Sequence, residues 1–129
     1  TMSADISNAF CTAKNMEPKV WVDCGPEFRD RQGQKATLRR ALYGMSSSRQ
    51  SFHDYCGDIL WEMDFRPSRA DPDLWIRISD DYNGYDYIAT WVDDIICVGK
   101  NPQKYMEAIA QQFDMRNVML NRQIPRVRY

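Results

Sequence analysis

Histidine is almost missing from this chain, and that scarcity removes whole classes of chemistry. His53 is the single histidine of the chain. The four cysteines, Cys11, Cys24, Cys56 and Cys97, are widely scattered and form no CxxC pair. A zinc site and a disulfide framework are therefore excluded, and the thiols read as buried or idle groups of a reducing compartment. No apolar run approaches the ~18 residues of a membrane span, so no membrane partner is expected. No signal peptide or basic transit segment opens the sequence, so nothing argues for export. Internal repeats and low-complexity linkers are absent as well.

What is present reads as a globular chain. Its 129 residues amount to one small domain with a modest core. Hydrophobic residues at 43% and charged residues at 27% exclude a disordered composition. The net charge of −1 argues against a uniformly basic nucleic-acid groove. The distribution is far from even, though. Arg29 to Arg49 nets +5, Asp54 to Asp94 nets −8, and Met115 to Tyr129 carries four arginines and no acid. A basic patch, an acidic centre and a basic tail can mark a metal centre beside a phosphate track.

Periodicity supplies the elements. "VWVDC", Val20 to Cys24, is β-branched and aromatic and predicts a short strand; "GPEF" follows as a turn and "RDRQGQK" as a polar loop. "ATLRRALYG" fits either strand or helix. Phe52, Tyr55, Cys56, Ile59, Leu60 and Met63 form one face of a helix over Ser48 to about Met63, with N-cap candidates at Ser46 to Ser48. Two prolines in "FRPSRADPD" break it. "LWIRI", Leu74 to Ile78, alternates as a strand, and "DDYNGYD" supplies turn residues. Tyr87 to Val92 and Ile95 to Val98 read as two strands with Asp93-Asp94 between them. Asn101-Pro102 is a helix start, with Tyr105, Met106, Ile109, Ala110 and Phe113 as the buried face. The last 15 residues show no clear period. Two helices against an antiparallel sheet make an α+β layer.

The chemistry is carried by carboxylates. In "YIATWVDDIICVGK" two adjacent aspartates sit between apolar runs, with no basic residue nearby before Lys100. Aspartate is an ordinary turn residue. Beside a buried strand pair, however, two like charges repel and are costly to desolvate unless a cation neutralises them. Asp5, in "SADISNAF", is a further candidate from a separate strand end. Three carboxylates without nearby histidine or cysteine favour Mg²⁺ or Mn²⁺, and two such ions roughly 3.5–4 Å apart would make a phosphoryl-transfer centre.

At these residues the chain resembles the reverse-transcriptase domain of copia-type LTR retrotransposon polyproteins. "DISNAF" resembles the family's first polymerase motif, and "KVWVDCGPEF" and "LRRALYGM" the blocks that follow it. "RPSRADPDLWIR" is similar to the segment before the catalytic hairpin, and "YIATWVDDII" to the "YVDD" box. The blocks keep the family's order from Asp5 to about Met115. The resemblance implies a polymerase palm, an antiparallel sheet backed by two helices, over residues 1–115, with a basic C-terminal tail over 116–129. It implies that Asp5, Asp93, Asp94 and the backbone carbonyl of Ile6 hold two Mg²⁺ (or Mn²⁺) ions, with Asp5 and Asp93 bridging and Asp94 in support. It assigns Phe10 to the nucleotide sugar, where a ring would exclude a 2′-hydroxyl. Tyr43 and Gly44 fall beside the templating base, and Trp91 and Val92 beside the primer terminus. The implied partners are an RNA or DNA template with its primer, a dNTP, and the fingers, thumb and RNase H regions of the polyprotein. The implied location is the cytoplasm, in virus-like particles, or the nucleus.

The chain also departs from that family. Ser46 stands where a basic residue is expected, and Trp91 replaces the tyrosine of the box. Only four residues precede Asp5, so weak or no activity is expected of this chain alone. Two other readings compete: a non-catalytic or domesticated remnant with at most a binding role, and an unrelated Mg²⁺-dependent nuclease or phosphatase. The last lacks a general base, because His53 lies on the helical face.

Overall fold

A computed structural model of the chain describes residues 1–13 and 19–120. It divides into two compact units, Thr1–Ala9 with Cys56–Tyr129, and Phe10–Tyr55.

The first unit is built on a six-stranded, wholly antiparallel sheet. Its strands are β1 (Met2–Ile6), β4 (Arg66–Pro67), β5 (Leu74–Ile78), β6 (Tyr85–Trp91), β7 (Asp94–Val98) and β8 (Met115–Leu120), in the spatial order β4-β5-β6-β7-β1-β8. Alternation decides which face is covered. Met2, Ala4 and Ile6 of β1, Trp75 of β5, Asp86 and Ile88 of β6, and Ile95 and Cys97 of β7 are buried. Their sequence neighbours point the other way.

Two helices cover the buried face. The C-terminal half of α2 (Ser48–Glu62) lays Cys56 and Leu60 into the core, and a Cβ at Gly57 would stand 3.2 Å from the Trp75 indole. Helix α3 (Pro102–Ala110) packs on β7 and β1 through Tyr105, Met106 and Ile109. Phe65, fully buried, meets the Tyr105 ring edge-on at 5.0 Å. The architecture is thus the α+β sheet-and-helices expected from periodicity, and it is consistent with a palm.

The second unit holds the rest of α1 (Ala9–Thr12) after Ala9, the hairpin β2 (Trp21–Asp23) with β3 (Lys35–Thr37), and the N-terminal half of α2. Between β2 and β3 the chain winds a 3₁₀ segment, Pro26–Arg31, where the sequence suggests a turn and a polar loop. Of the ambiguous stretch only Ala36 and Thr37 are strand, as the end of β3; Leu38 donates to the Val20 carbonyl and Ala41 to that of Ala13, and no helix forms there.

Several expectations are corrected. The region after Met115 is not without structure as far as Leu120, since it forms edge strand β8; residues 121–129 of the expected tail lie outside the described residues. An edge strand paired on one side and open on both faces needs no clean alternation, which is why the pattern was silent there. Ala110 is exposed, because α3 ends at that residue. Asn101 stands at the N-cap, but its side chain makes no capping bond. Arg66–Pro67 adds a two-residue strand to the sheet edge in a stretch read only as a helix breaker.

Candidate nucleotidyl-transfer site

The hairpin β6–β7 turns on two residues, Val92 and Asp93, rather than on the aspartate pair; Asp94 is already the first residue of β7. A two-residue connection demands positive φ in its turn, and Val92 supplies it at φ 56°. A β-branched side chain is disfavoured there, so the turn stores backbone strain.

Strand pairing then assembles the acidic group. β1 lies against β7 with Asp5 directly opposite Asp94, and the Ile6 N–H donates to the Asp93 carbonyl at 2.7 Å. Opposed residues share a face, so the Asp5 and Asp94 side chains project together from the open side of the sheet. Ala4 and Ile6 anchor Asp5 from below, as Ile95 does for Asp94. A shallow cleft of about 300 Å³ runs over this point, lined by Ser3, Asp5, Asp94, Ile96, Asn117 and Met119. A second, of about 310 Å³, adjoins it on the far side of Asp94, between Trp91 and the Asp71–Asp73 loop. Trp91 is Asp94's partner on β6 and is 64% exposed.

Sequence reasoning missed the other neighbour of Asp5. On β8 its register partner is Arg116. The pairing slips between Ser3 and Asp5 so that Asn117 and Val118 share the place opposite Ala4, and Asn117 takes φ 51°. This is a β-bulge, with an asparagine at the position that needs a left-handed residue. One row across the open face therefore reads Arg116, Asp5, Asp94, Trp91. Nothing local in "MRNVML" announces this row, because it depends on which strand β8 joins.

Of the other candidates, Ile6 is buried beside Asp5, and Val92 and Asp93 form the turn. Phe10, Tyr43 and Gly44 belong to the second unit. There the Phe10 and Tyr43 rings lie 4.7 Å apart, Phe52 meets Phe10 edge-on at 6.2 Å, and Gly44 turns at φ 91°. As the side chains stand, no group of three or more metal-ligating side chains among the described residues is gathered closely enough to hold an ion. The donor set is nevertheless all hard oxygen, and the backbone aligns two of its three carboxylates on one face with the third at the adjoining turn residue. The residues fit a divalent cation in chemical kind, while a gathered ligand set is not formed among the described residues.

The first unit thus sets an antiparallel sheet under two helices, with paired carboxylates at the end of its central hairpin on the open face. The chain belongs to the family described as reverse transcriptase (RNA-dependent DNA polymerase), which matches residues 2–123. No curated protein and no solved structure matches it. None of the helices of the described residues is long and apolar enough to cross a membrane.

Proposed function

We propose that this chain is the palm of an RNA-directed DNA polymerase of the copia type, which transfers a nucleotide from a dNTP to a primer 3′-hydroxyl. The observation that carries this reading is the register that sets Asp5 against Asp94 beside the Asp93 turn. Asp5, Asp93, Asp94 and the Ile6 carbonyl would hold two divalent cations, Mg²⁺ or Mn²⁺. Bound there, the ions would lower the pKa of the primer hydroxyl and stabilise the pyrophosphate leaving group. The chain's own part is to fix the carboxylates on rigid strands, so that little reorganisation is needed when charge develops. Trp91, exposed beside Asp94, offers an apolar wall to the primer terminus, and Val92 holds the turn. On the family resemblance, Phe10 would meet the nucleotide sugar and Tyr43 and Gly44 the templating base; within their own unit the Phe10 and Tyr43 rings lie 4.7 Å apart.

The alternative, a remnant that has kept the fold without catalysis, is favoured by one observation only: the side chains form no ready-made ligand cluster among the described residues. Manganese titration separates the two. Thermal unfolding should shift upward with Mn²⁺ by as much as about 2.7 kcal/mol at a hundredfold excess over the dissociation constant. The shift should vanish in Asp5→Asn and Asp93→Asn. A wild-type melting curve that ignores Mn²⁺ would leave the remnant reading standing, and primer extension above an Asp93→Asn control would eliminate it.

A further inference from the structure

The acidic row of the open face contains one positive charge, and regular strand pairing would not have put it there. Strands β6, β7 and β1 carry no lysine or arginine, and Arg116 is the single basic residue of β8. At one end of the β1–β8 pair, Met2 faces Leu120 and Ser3 faces Met119. Continued without interruption, that register would set Asn117 opposite Asp5 and Arg116 opposite Ile6. Ile6 is buried, so Arg116 would then turn to the face that the helices cover. The bulge at Asn117 adds one residue to β8, and Arg116 falls opposite Asp5 instead, on the open face.

The guanidinium is committed nowhere else. Arg116 is exposed, and its side chain makes no hydrogen bond or closed ion pair among the described residues, Asp5 included. Its charge therefore acts on Asp5 as a field across the strand pair, and its long stem leaves the head free to move. On the other flank of Asp5 stands Asp94, a like charge. Asp5 thus lies between one cation and one anion, whereas the neighbours of Asp94 in the row are Asp5 and Trp91.

We propose that Arg116 is a positioning residue acting through Asp5: a built-in counter-ion that steadies the carboxylate in the metal-free protein and opposes the binding of a divalent cation to it. The proposal rests on the metal-holding role given to Asp5 above, and it adds a control of metal affinity exercised by the bulged strand. Opposite charges at directly facing positions stabilise a sheet by a small increment. The same charge repels an incoming cation. Coulomb's law in water gives a unit charge and a divalent ion about 6 Å apart roughly a tenfold effect on affinity, which salt reduces. Arg116 therefore raises stability without metal and lowers affinity for metal. A packing residue or a metal ligand would not act in opposite directions on the two.

The test reads binding and stability, not catalysis. Mn²⁺ affinity is followed through the electron paramagnetic resonance signal of the free ion, and stability through thermal unfolding in EDTA, both on the full chain at low salt. Arg116→Gln should bind Mn²⁺ about three- to tenfold more tightly than the parent, and the gain should shrink at about 1 M salt. In EDTA the same variant should melt about 1–4 °C lower, and that loss should disappear when the substitution is made in Asp5→Asn. Arg116→Lys, which keeps the charge, should restore the parent's behaviour in both measurements. Arg116 is exposed on an edge strand, so circular dichroism of the variants should match the parent. Mn²⁺ bound by the parent, but no more tightly by Arg116→Gln, overturns the proposal and leaves the polymerase reading standing. Mn²⁺ bound by neither overturns both. A melting loss that persists in full in the Asp5→Asn background also overturns the proposal, since the arginine would then serve packing and not the carboxylate.

Discussion

Replacing Asp94 with asparagine should make the metal-free protein more stable. Asp94 faces Asp5 across the β1–β7 pair, and directly opposed residues have Cβ atoms about 4.5–5.5 Å apart. Coulomb's law in water gives about 0.8 kcal/mol of repulsion for unit charges about 5 Å apart. Like charges at such positions destabilise sheets by roughly 0.2–1 kcal/mol, so the two estimates agree. Asparagine keeps the shape and removes the charge, and a chain of this size should gain about 1–4 °C in melting temperature. Asp5→Asn makes the sharper comparison. It removes the same repulsion but also the attraction to Arg116 on the other flank, so its gain should be smaller or nil. At about 1 M salt, where screening acts within ~3 Å, the Asp94→Asn gain should shrink towards zero. The assay is thermal unfolding at neutral pH in EDTA, at low and high salt. A destabilised Asp94→Asn, or a gain that salt does not touch, would refute the view that two unneutralised carboxylates face one another on this sheet.

The turn gives a second prediction: at Val92, glycine should be more stable than alanine by about 0.5–1 kcal/mol, reversing the ordinary order, because φ there is 56°. Chemical denaturation of Val92→Gly and Val92→Ala reads the sign directly. Tyr105→Phe should cost about 1–3 kcal/mol, since the phenol is the donor to buried Asp86 at 2.6 Å and Asp86 Oδ1 has no partner of its own. Burial pushes the thiols of Cys56 (with help from Asp73) and Cys97 up to about 12 from 9.0. Both should therefore resist a thiol reagent in the native state at pH 8 and react on unfolding. Their folded values lie above the unfolded ones, so the stability they contribute is complete below about 9 and is lost as pH rises towards about 12. An alkaline denaturation series should show that loss diminished in Cys97→Ala.

The elements that came from local pattern are those whose period is strong. "LWIRI" alternates and is β5 to the residue, and the i, i+3, i+4 face of Phe52 to Leu60 is helix α2. Asn101-Pro102 opens α3 as its composition requires. These are short-range facts, written in side chains a few positions apart. The same holds for the identity of the acidic residues and their order along the chain.

Which side chains meet was decided elsewhere. Asp5 faces Asp94 only because a strand at the start of the chain inserts between β7 and β8, and Arg116 joins it only because β8 shifts register at Asn117. Tyr85, Tyr87 and Trp91 share an open face only because Asp86 and Ile88 are drawn under helices that lie elsewhere in sequence. Local composition determines the strands and helices, since hydrophobic periodicity acts within a few residues. Strand order, register and the choice of buried face are settled by packing between distant segments, a free-energy balance that no single stretch of sequence contains.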